Sequence, residues 1–341
     1  MRHLQTLRLI EAVARAGSIR KAAEDMAITS SALNRRITGF EEEFGYPIFE
    51  RLPRGVRLNP AGELLVQHIR AQISDLARVQ SQVADLSGAR RGHVSIACSQ
   101  ALLPYFLPEQ IAVYRRAHPG VSFSVRVRDR VAAEHDLSEF RSDLALVFEP
   151  VYLADFEVLF AMRQPVFAVF AEDHPLAAKE GELRLRDCLA WPQAMPTHPY
   201  GVRHLLEMAV RGRSLSIDPT VESESFEFLR HYVRHEQAVA FQIPIGLKSL
   251  TGGGVTAREV SVRDVPAGHL LLGQMRGRSL PVASARFANQ LAGAMAEMGG
   301  ATGEPADASA GIGSTGIGST GMSATGMSAK GIGAAPLARG G

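Results

Sequence analysis

Cysteine is scarce in this chain: Cys98 and Cys188 are the only two among 341 residues, and they form no C-x-x-C pair. Neither a disulfide framework nor a cysteine zinc site is expected, and a reducing cytoplasm is the natural setting. Long apolar runs are missing as well, since nothing approaches the roughly 20 residues that span a bilayer. The chain opens Met1-Arg2-His3 and runs straight into an amphipathic helix, without a signal-peptide pattern, so a soluble cytoplasmic protein with no membrane partner is expected. Charge of one sign is lacking: 37 Lys and Arg stand against 35 Asp and Glu, a net charge of +2 that does not by itself argue for a nucleic-acid partner. Motifs of catalysis are absent too. No G-x-S-x-G elbow, G-x-x-x-x-G-K-[ST] loop or H-E-x-x-H pair occurs, so no catalytic residue and no cofactor is assigned. His231 and His235 stand four apart in an expected helix but have no third ligand nearby, and no metal site is assigned.

What the chain does contain is concentrated near its start. Ser18 and Thr29 are helix-capping residues before runs with helical spacing: Ala22, Ala23 and Met26 share one face, and Ala32, Leu33, Ile37, Phe40 and Phe44 trace a stripe on the next. The short turn Met26-Ala27-Ile28 forces the second helix to leave the first steeply, which is a helix-turn-helix. Its exposed face carries Thr29, Ser30, Ser31, Asn34, Arg35, Arg36 and Thr38, with Asn suited to adenine and Arg to guanine in a major groove. Glu41, Glu42 and Glu43 read as a solvated face, and Gly45 as the helix stop. A scaffold helix over 4–15 precedes this motif, with Leu4, Leu7, Ile10 and Ala14 turned inward. After it, 46–58 reads as a hairpin about Pro53-Arg54-Gly55, a wing whose Arg51, Arg54 and Arg57 would meet phosphates or hold the backbone.

Asn59-Pro60 starts a long helix to residue 87. Leu65, Ile69, Gln72, Leu76, Val79, Val83 and Leu86 follow at spacings of four and three, a coiled-coil seam that predicts dimerisation. Residues 87–92 read as a hinge. Beyond it, apolar strand-like runs at 93–97, 121–127, 144–148, 166–170 and 238–243 alternate with helical stretches, which predicts an α/β domain with largely parallel sheet. From 299 the composition collapses to Gly, Ala, Ser and Thr, with Gly311-Ile312-Gly313-Ser314-Thr315 repeated at 316–320, and disorder is expected.

The segment from Leu4 to Gly62 resembles the DNA-binding domain of LysR-type transcriptional regulators. The residues that carry the likeness are Thr29-Ser30-Ser31-Ala32-Leu33-Asn34-Arg35, Phe40-Glu41-Glu42-Glu43-Phe44-Gly45 and Ile48-Phe49-Glu50-Arg51, with departures at Ser30, Ser31 and Asn34. Ser142-Asp143-Leu144-Ala145-Leu146 and Asp173-His174-Pro175-Leu176 extend it into the second half. The resemblance implies a mixed fold: an all-α winged helix-turn-helix (1–59), a linker and dimerisation helix (60–87), and a two-lobed α/β effector-binding domain (92–298). Lobe I would hold 92–162 and 270–298, lobe II 163–265, and 299–341 would be the tail.

It also implies a regulator that binds double-stranded promoter DNA as a dimer of dimers, answers a small organic acid, aromatic or sugar, and contacts RNA polymerase. Ligands of open α/β sheets sit beyond the carboxyl ends of strands. That rule selects Ser99, Gln100, Arg128, Phe148, Glu149, Thr197 and His198, and relatives favour the Ser99 and Thr197 hydroxyls. Cys98 reads as a redox switch or as a small buried residue. The alternative function is a DNA-binding protein whose α/β domain is enzymatic or ligand-independent.

Overall fold

The computed structural model describes residues 2–86, 91–151, 156–247 and 251–299; the hinge expected from residue 87 falls largely outside these, as does the tail beyond 299. The chain opens with α1 (Arg2–Ala16), α2 (Ile19–Asp25) and α3 (Ser30–Phe44). Both expected caps form: Ser18 accepts from the Lys21 amide and Thr29 from the Ala32 amide, while Gly45 ends α3 in the left-handed region at φ 84°. Ala27 turns the corner at φ 53°, a conformation that costs an L-residue about 1–2 kcal/mol. The turn is tight enough to impose it.

The wing is β1 (Phe49–Leu52) against β2 (Gly55–Leu58), antiparallel, with Leu52 opposite Gly55. Gly55 lies at φ 110° with its α-carbon against the Gly17 carbonyl oxygen, where any Cβ would collide, and the Val56 amide donates to that same oxygen at 2.9 Å. Glu41 corrects the expectation of a wholly solvated acidic face. Its Oε1 accepts from the amides of Ile48 at 2.7 Å and Phe49 at 3.2 Å, so it clasps the start of β1 onto α3.

Helix α4 (Pro60–Leu86) runs 27 residues, about 40 Å. The expected seam divides along it. Ile69 is fully buried and Leu65 packs beside it, together with Val66, in a core shared with Leu7, Ile10, Val13, Leu33 and Ile37. Three short helices cannot enclose that core, and the first turns of α4 complete it, so Leu65 and Ile69 face their own domain and not a partner. Leu76 is half-buried, and Val79 and Val83 are exposed at 44% and 57%. The Leu86 side chain lies outside the described residues.

From Gly92 the elements are β3 (Gly92–Cys98), α5 (Phe106–Ala117), β4 (Val121–Val127), α6 (Arg130–Ser138), β5 (Leu144–Phe148), β6 (Phe156–Gln164), β7 (Phe167–Ala171), α7 (Leu185–Leu189) and β8 (Gln193–Pro196). They continue with α8 (Gly201–Val210), β9 (Pro219–Ser223), α9 (Phe226–Tyr232), β10 (Val239–Gln242), β11 (Thr251–Gly252), β12 (Val255–Glu259), β13 (Gly268–Met275) and α10 (Val282–Gly299). One sheet has the order β4-β3-β5-β13-β6, the other β11-β12-β7-β10-β8-β9. Both are mixed, which corrects the largely parallel expectation: β13 pairs antiparallel with β5 and β6, and β7 antiparallel with β10 and β12. The chain passes from the first sheet to the second after Gln164 and returns before Gly268.

Cys98 and Cys188 are fully buried, and burial pushes both thiols up to about 12. A thiol held protonated in an apolar interior is inert, which favours the buried reading of Cys98 over a redox switch. In the folded chain both should react with Ellman's reagent at pH 8 far more slowly than after unfolding in guanidinium; fast reaction of either would show that its strand opens locally. Asp264 supplies a second test. It accepts two hydrogen bonds from Arg184, each at 2.7 Å, and the Leu185 amide at 2.9 Å, which hold its carboxyl down at about 2 from an ordinary 3.8. A depressed carboxylate stabilises the fold above its unfolded pKa and loses that stabilisation as pH falls through the folded one. Asp264→Asn should therefore lower the urea-unfolding free energy at pH 7 by about 2 kcal/mol. That gap should close between about pH 4 and pH 2; a gap persisting at the acid end would assign the effect to packing.

Candidate functional site

The first candidate surface is the N-terminal half of α3 with the wing. Thr29 is taken up as the cap and also shares a 3.2 Å hydrogen bond with the Ser31 hydroxyl, so it holds the helix start. Ser30, Arg35 and Arg36 are exposed, and Asn34 and Thr38 are half-buried on the same helix. Among the described residues Arg35, Arg36 and Arg54 make no ion pair, and all three guanidiniums are free to meet an external anion. Arg57 is instead paired with Glu50 at 2.6 Å across the two wing strands. Arg51 donates from Nη2 to Asn34 Oδ1 at 3.2 Å. The sequence-assigned residues thus include three free cations, Arg35, Arg36 and Arg54, and five that are already engaged, Thr29, Ser31, Asn34, Arg51 and Arg57.

The second candidate site lies where the two sheets meet, beyond the carboxyl ends of β3, β5 and β8. Gln100, just past β3, reaches across: its Oε1 accepts from the Phe226 amide at the start of α9 at 3.2 Å, and its side chain hydrogen-bonds Tyr200. Arg230 of α9 crosses the other way to the Tyr105 hydroxyl at 2.9 Å. Gly201, which opens α8, lies against the Phe148 carbonyl, where a side chain would collide. Phe148 is therefore buried under α8.

Between these contacts stand the two hydroxyls. Ser99 adjoins Gln100, and Thr197 accepts the Tyr200 amide on its carbonyl at 3.2 Å, so the Gln100–Tyr200 contact brings the two neighbourhoods together. Thr197 Oγ1 is buried and has no partner among the described residues. A buried hydroxyl without a hydrogen bond costs about 1–3 kcal/mol, so it marks a place where a polar group can bind.

The remaining assigned residues are engaged. Arg128 donates to Asp136 at 2.8 Å and to its neighbour's carbonyl at 3.0 Å, because Asp136 is buried and needs a cation. Glu149 sits at φ 52°, receives Arg130 on its carbonyl at 2.8 Å and accepts the His269 amide at 2.7 Å. His198 is exposed and paired with Glu207 at 2.7 Å. His231 faces Glu227 at 3.1 Å.

Tyr200, Phe226, Tyr105 and Arg230 were not legible as site residues. The one local signal was Pro199-Tyr200-Gly201, an aromatic residue at a helix start. Burial first, then the charge of Glu224, pushes the Tyr200 hydroxyl above its ordinary range, so it stays a neutral donor. Burial and the adjacent Arg130 hold His204 below its ordinary range, so it stays neutral near pH 7. Tyr200 and His204 thus stand in the cleft as neutral polar groups, while Arg128 and Arg230 are tied down by partners. Among the described residues no helix is long and apolar enough to cross a membrane.

Comparison with known proteins agrees with this architecture. Residues 4–63 match the bacterial regulatory helix-turn-helix protein, lysR family, and residues 87–296 match the LysR substrate binding domain. An HTH-type transcriptional activator, CmpR, from Synechocystis sp. is 25% identical over 230 residues, covering 67% of this chain and 75% of that protein. A RuBisCO operon transcriptional regulator from Allochromatium vinosum is 28% identical over 231 residues, covering 68% and 76%. Among solved structures, a full-length OxyR variant from Pseudomonas aeruginosa superposes with a TM-score of 0.64 at 21% identity, covering 86% of this chain and 94% of that one. Full-length CbnR in complex with its target DNA gives 0.55 at 14% identity, covering 84% and 98%. With a DNA-binding helix-turn-helix, an effector domain of two sheets and relatives named as regulators, this chain belongs to the LysR family of bacterial transcriptional regulators and is not an enzyme.

Proposed function

We propose that α3 enters the major groove of promoter DNA with its N-terminal half, that Ser30, Ser31, Asn34, Arg35 and Thr38 face base edges, and that Arg36 and Arg54 take phosphates. The observation that supports this reading is the set of three exposed, unpaired guanidiniums, Arg35, Arg36 and Arg54, on one capped helix and its wing. An exposed cation with no internal partner keeps its full charge for the counterion release that drives DNA binding. In this reading 1–59 binds DNA and 60–87 pairs two copies through the outward row that begins at Leu76 and includes Val79 and Val83. The domain 92–298 binds the effector, and two dimers make a homotetramer in the cytoplasm.

The effector is a small organic acid, aromatic or sugar that hydrogen-bonds Ser99 and Thr197. The unpartnered Thr197 hydroxyl supports that placement. Binding there competes with the Gln100 and Arg230 bridges, shifts the two sheets against each other, and so changes DNA contacts and the approach of RNA polymerase. That last contact is read from the function of regulators in general.

Two measurements test this. Footprinting on the DNA upstream of the gene, with a panel of small acids and sugars, should show a protected palindrome whose extent changes with one compound. Thr197→Val should abolish that change while leaving affinity in the absence of compound intact; a response that survives would place the effector elsewhere. Arg54→Ala should weaken binding to every sequence and reduce the salt slope by about 0.9, one phosphate's worth. Arg35→Ala should instead relax base discrimination by about 1–3 kcal/mol at one position. An unchanged slope in the first variant would remove the wing from the interface.

A further inference from the structure

Asn34 lies on the face of α3 assigned above to the groove, and its carbonyl oxygen already accepts one hydrogen bond. Arg51 Nη2 donates to Asn34 Oδ1 at 3.2 Å across seventeen residues of chain, linking recognition helix to wing. Two further contacts make this pairing a property of the fold. Glu41 Oε1 takes the Ile48 and Phe49 amides just before Arg51, which sets the register of β1 against α3. Glu50, which precedes Arg51 in β1 and pairs with Arg57 at 2.6 Å, leaves Arg51 on the other face of the strand.

The contact changes what Asn34 can read. An asparagine that selects adenine uses both halves of its amide: Oδ1 accepts from the N6 amino group while Nδ2 donates to N7. Arg51 takes one of the two acceptor sites of Oδ1 and sets its own donors beside Nδ2, so the pair is weighted toward donors. Guanine offers two acceptors in the major groove, O6 and N7. The guanidinium's positive charge beside that edge attracts guanine O6 and repels the adenine amino group. We propose that Arg51 is the specificity-determining partner of Asn34: by engaging one side of its carbonyl and adding donors and a positive charge beside it, it shifts the asparagine's preference from adenine toward guanine. The inference rests on the placement of α3 in the major groove given above.

The test uses the full chain and an operator obtained by selection from a random duplex pool. The position read by Asn34 is the one at which Asn34→Ala loses discrimination. There the wild-type chain should prefer guanine over adenine by about tenfold. Arg51→Ala should abolish that preference or reverse it toward adenine, and adding Arg51→Ala to Asn34→Ala should change no base preference further. Both side chains are at the surface, and unchanged urea midpoints would confirm that the variants fold. A wild-type preference for adenine would overturn the proposal. So would an Arg51→Ala chain that still prefers guanine and only loses salt slope, which would make Arg51 a phosphate contact. If Asn34→Ala altered discrimination nowhere, the groove placement itself would fail, and this inference with it.

Discussion

One buried cation fixes α4 against the first sheet. Arg278, in the turn after β13, donates from Nε to Ser74 of α4 at 2.8 Å, from Nη1 to the Ser142 carbonyl at 2.9 Å and from Nη2 to Asp143 at 2.6 Å, with its guanidinium 5.1 Å from the centre of the Phe140 ring. The other oxygen of Asp143 takes the Ser95 amide at 3.1 Å and the Ser284 hydroxyl at 3.0 Å. Five segments meet at one ion pair. Charges taken out of water are tolerated only when every partner is in place, so such a network specifies geometry more than it adds stability. About one turn before Ser74, Arg70 faces Glu139 of the effector domain at 3.1 Å and Glu11 of α1 at 3.8 Å. Because Val66 and Ile69 complete the DNA-binding core, α4 belongs to both halves of the chain at once.

The contacts between the two sheets are of another kind. They include the hydrogen bonds Gln100 to Phe226, Arg230 to Tyr105 and Ile245 to Gln164, the close approach of Gly201 to Phe148, and apolar side chains of one buried cluster that draws on both sheets. A typical hydrogen bond contributes about 0.5–1.5 kcal/mol net, since water replaces it when broken. Breaking a buried ion pair by removing a partner costs about 3–5 kcal/mol. The ion pair at Arg278 therefore ties α4 to the first sheet more firmly than any single one of these hydrogen bonds ties the two sheets together.

Much of this was legible in the sequence because it is local. Caps at Ser18 and Thr29, the stop at Gly45 and the glycine turn of the wing each depend on neighbours a few residues away, and periodicity marked the buried faces of α1 and α3. What escaped was long-range. The seam on α4 looked uniform because heptad spacing does not say which partner an apolar face meets; only the shortage of core in a three-helix domain turns Ile69 inward. Strand direction was misjudged because β13 arrives more than a hundred residues after β5 and pairs with it antiparallel. Arg128 and Glu149 sit at strand ends as ligand residues do, yet Asp136 and the His269 amide claim them. No local pattern announces such partners. The same holds for Gln100, whose partners come from α8 and α9, and for Glu41, whose carboxylate is needed by β1.

Glu41 also bears on how a chain of net charge +2 presents itself to a polyanion. Its charge is drawn under β1, so the acidity of α3 is left to Glu42 and Glu43, both exposed in the last turn, while Arg35 and Arg36 are exposed nearer the start. The helix dipole has the same sense, positive at the N-terminus and negative at the C-terminus. Side-chain charge and backbone dipole therefore reinforce each other along α3, and an approach by its C-terminal end would set two carboxylates and the dipole's negative pole against phosphates. Repulsion of that kind discriminates between orientations even where each attraction is modest. The balance of charge over the whole chain is uninformative for the same reason: orientation on DNA depends on where the charges stand along one helix, and here they are sorted by sign.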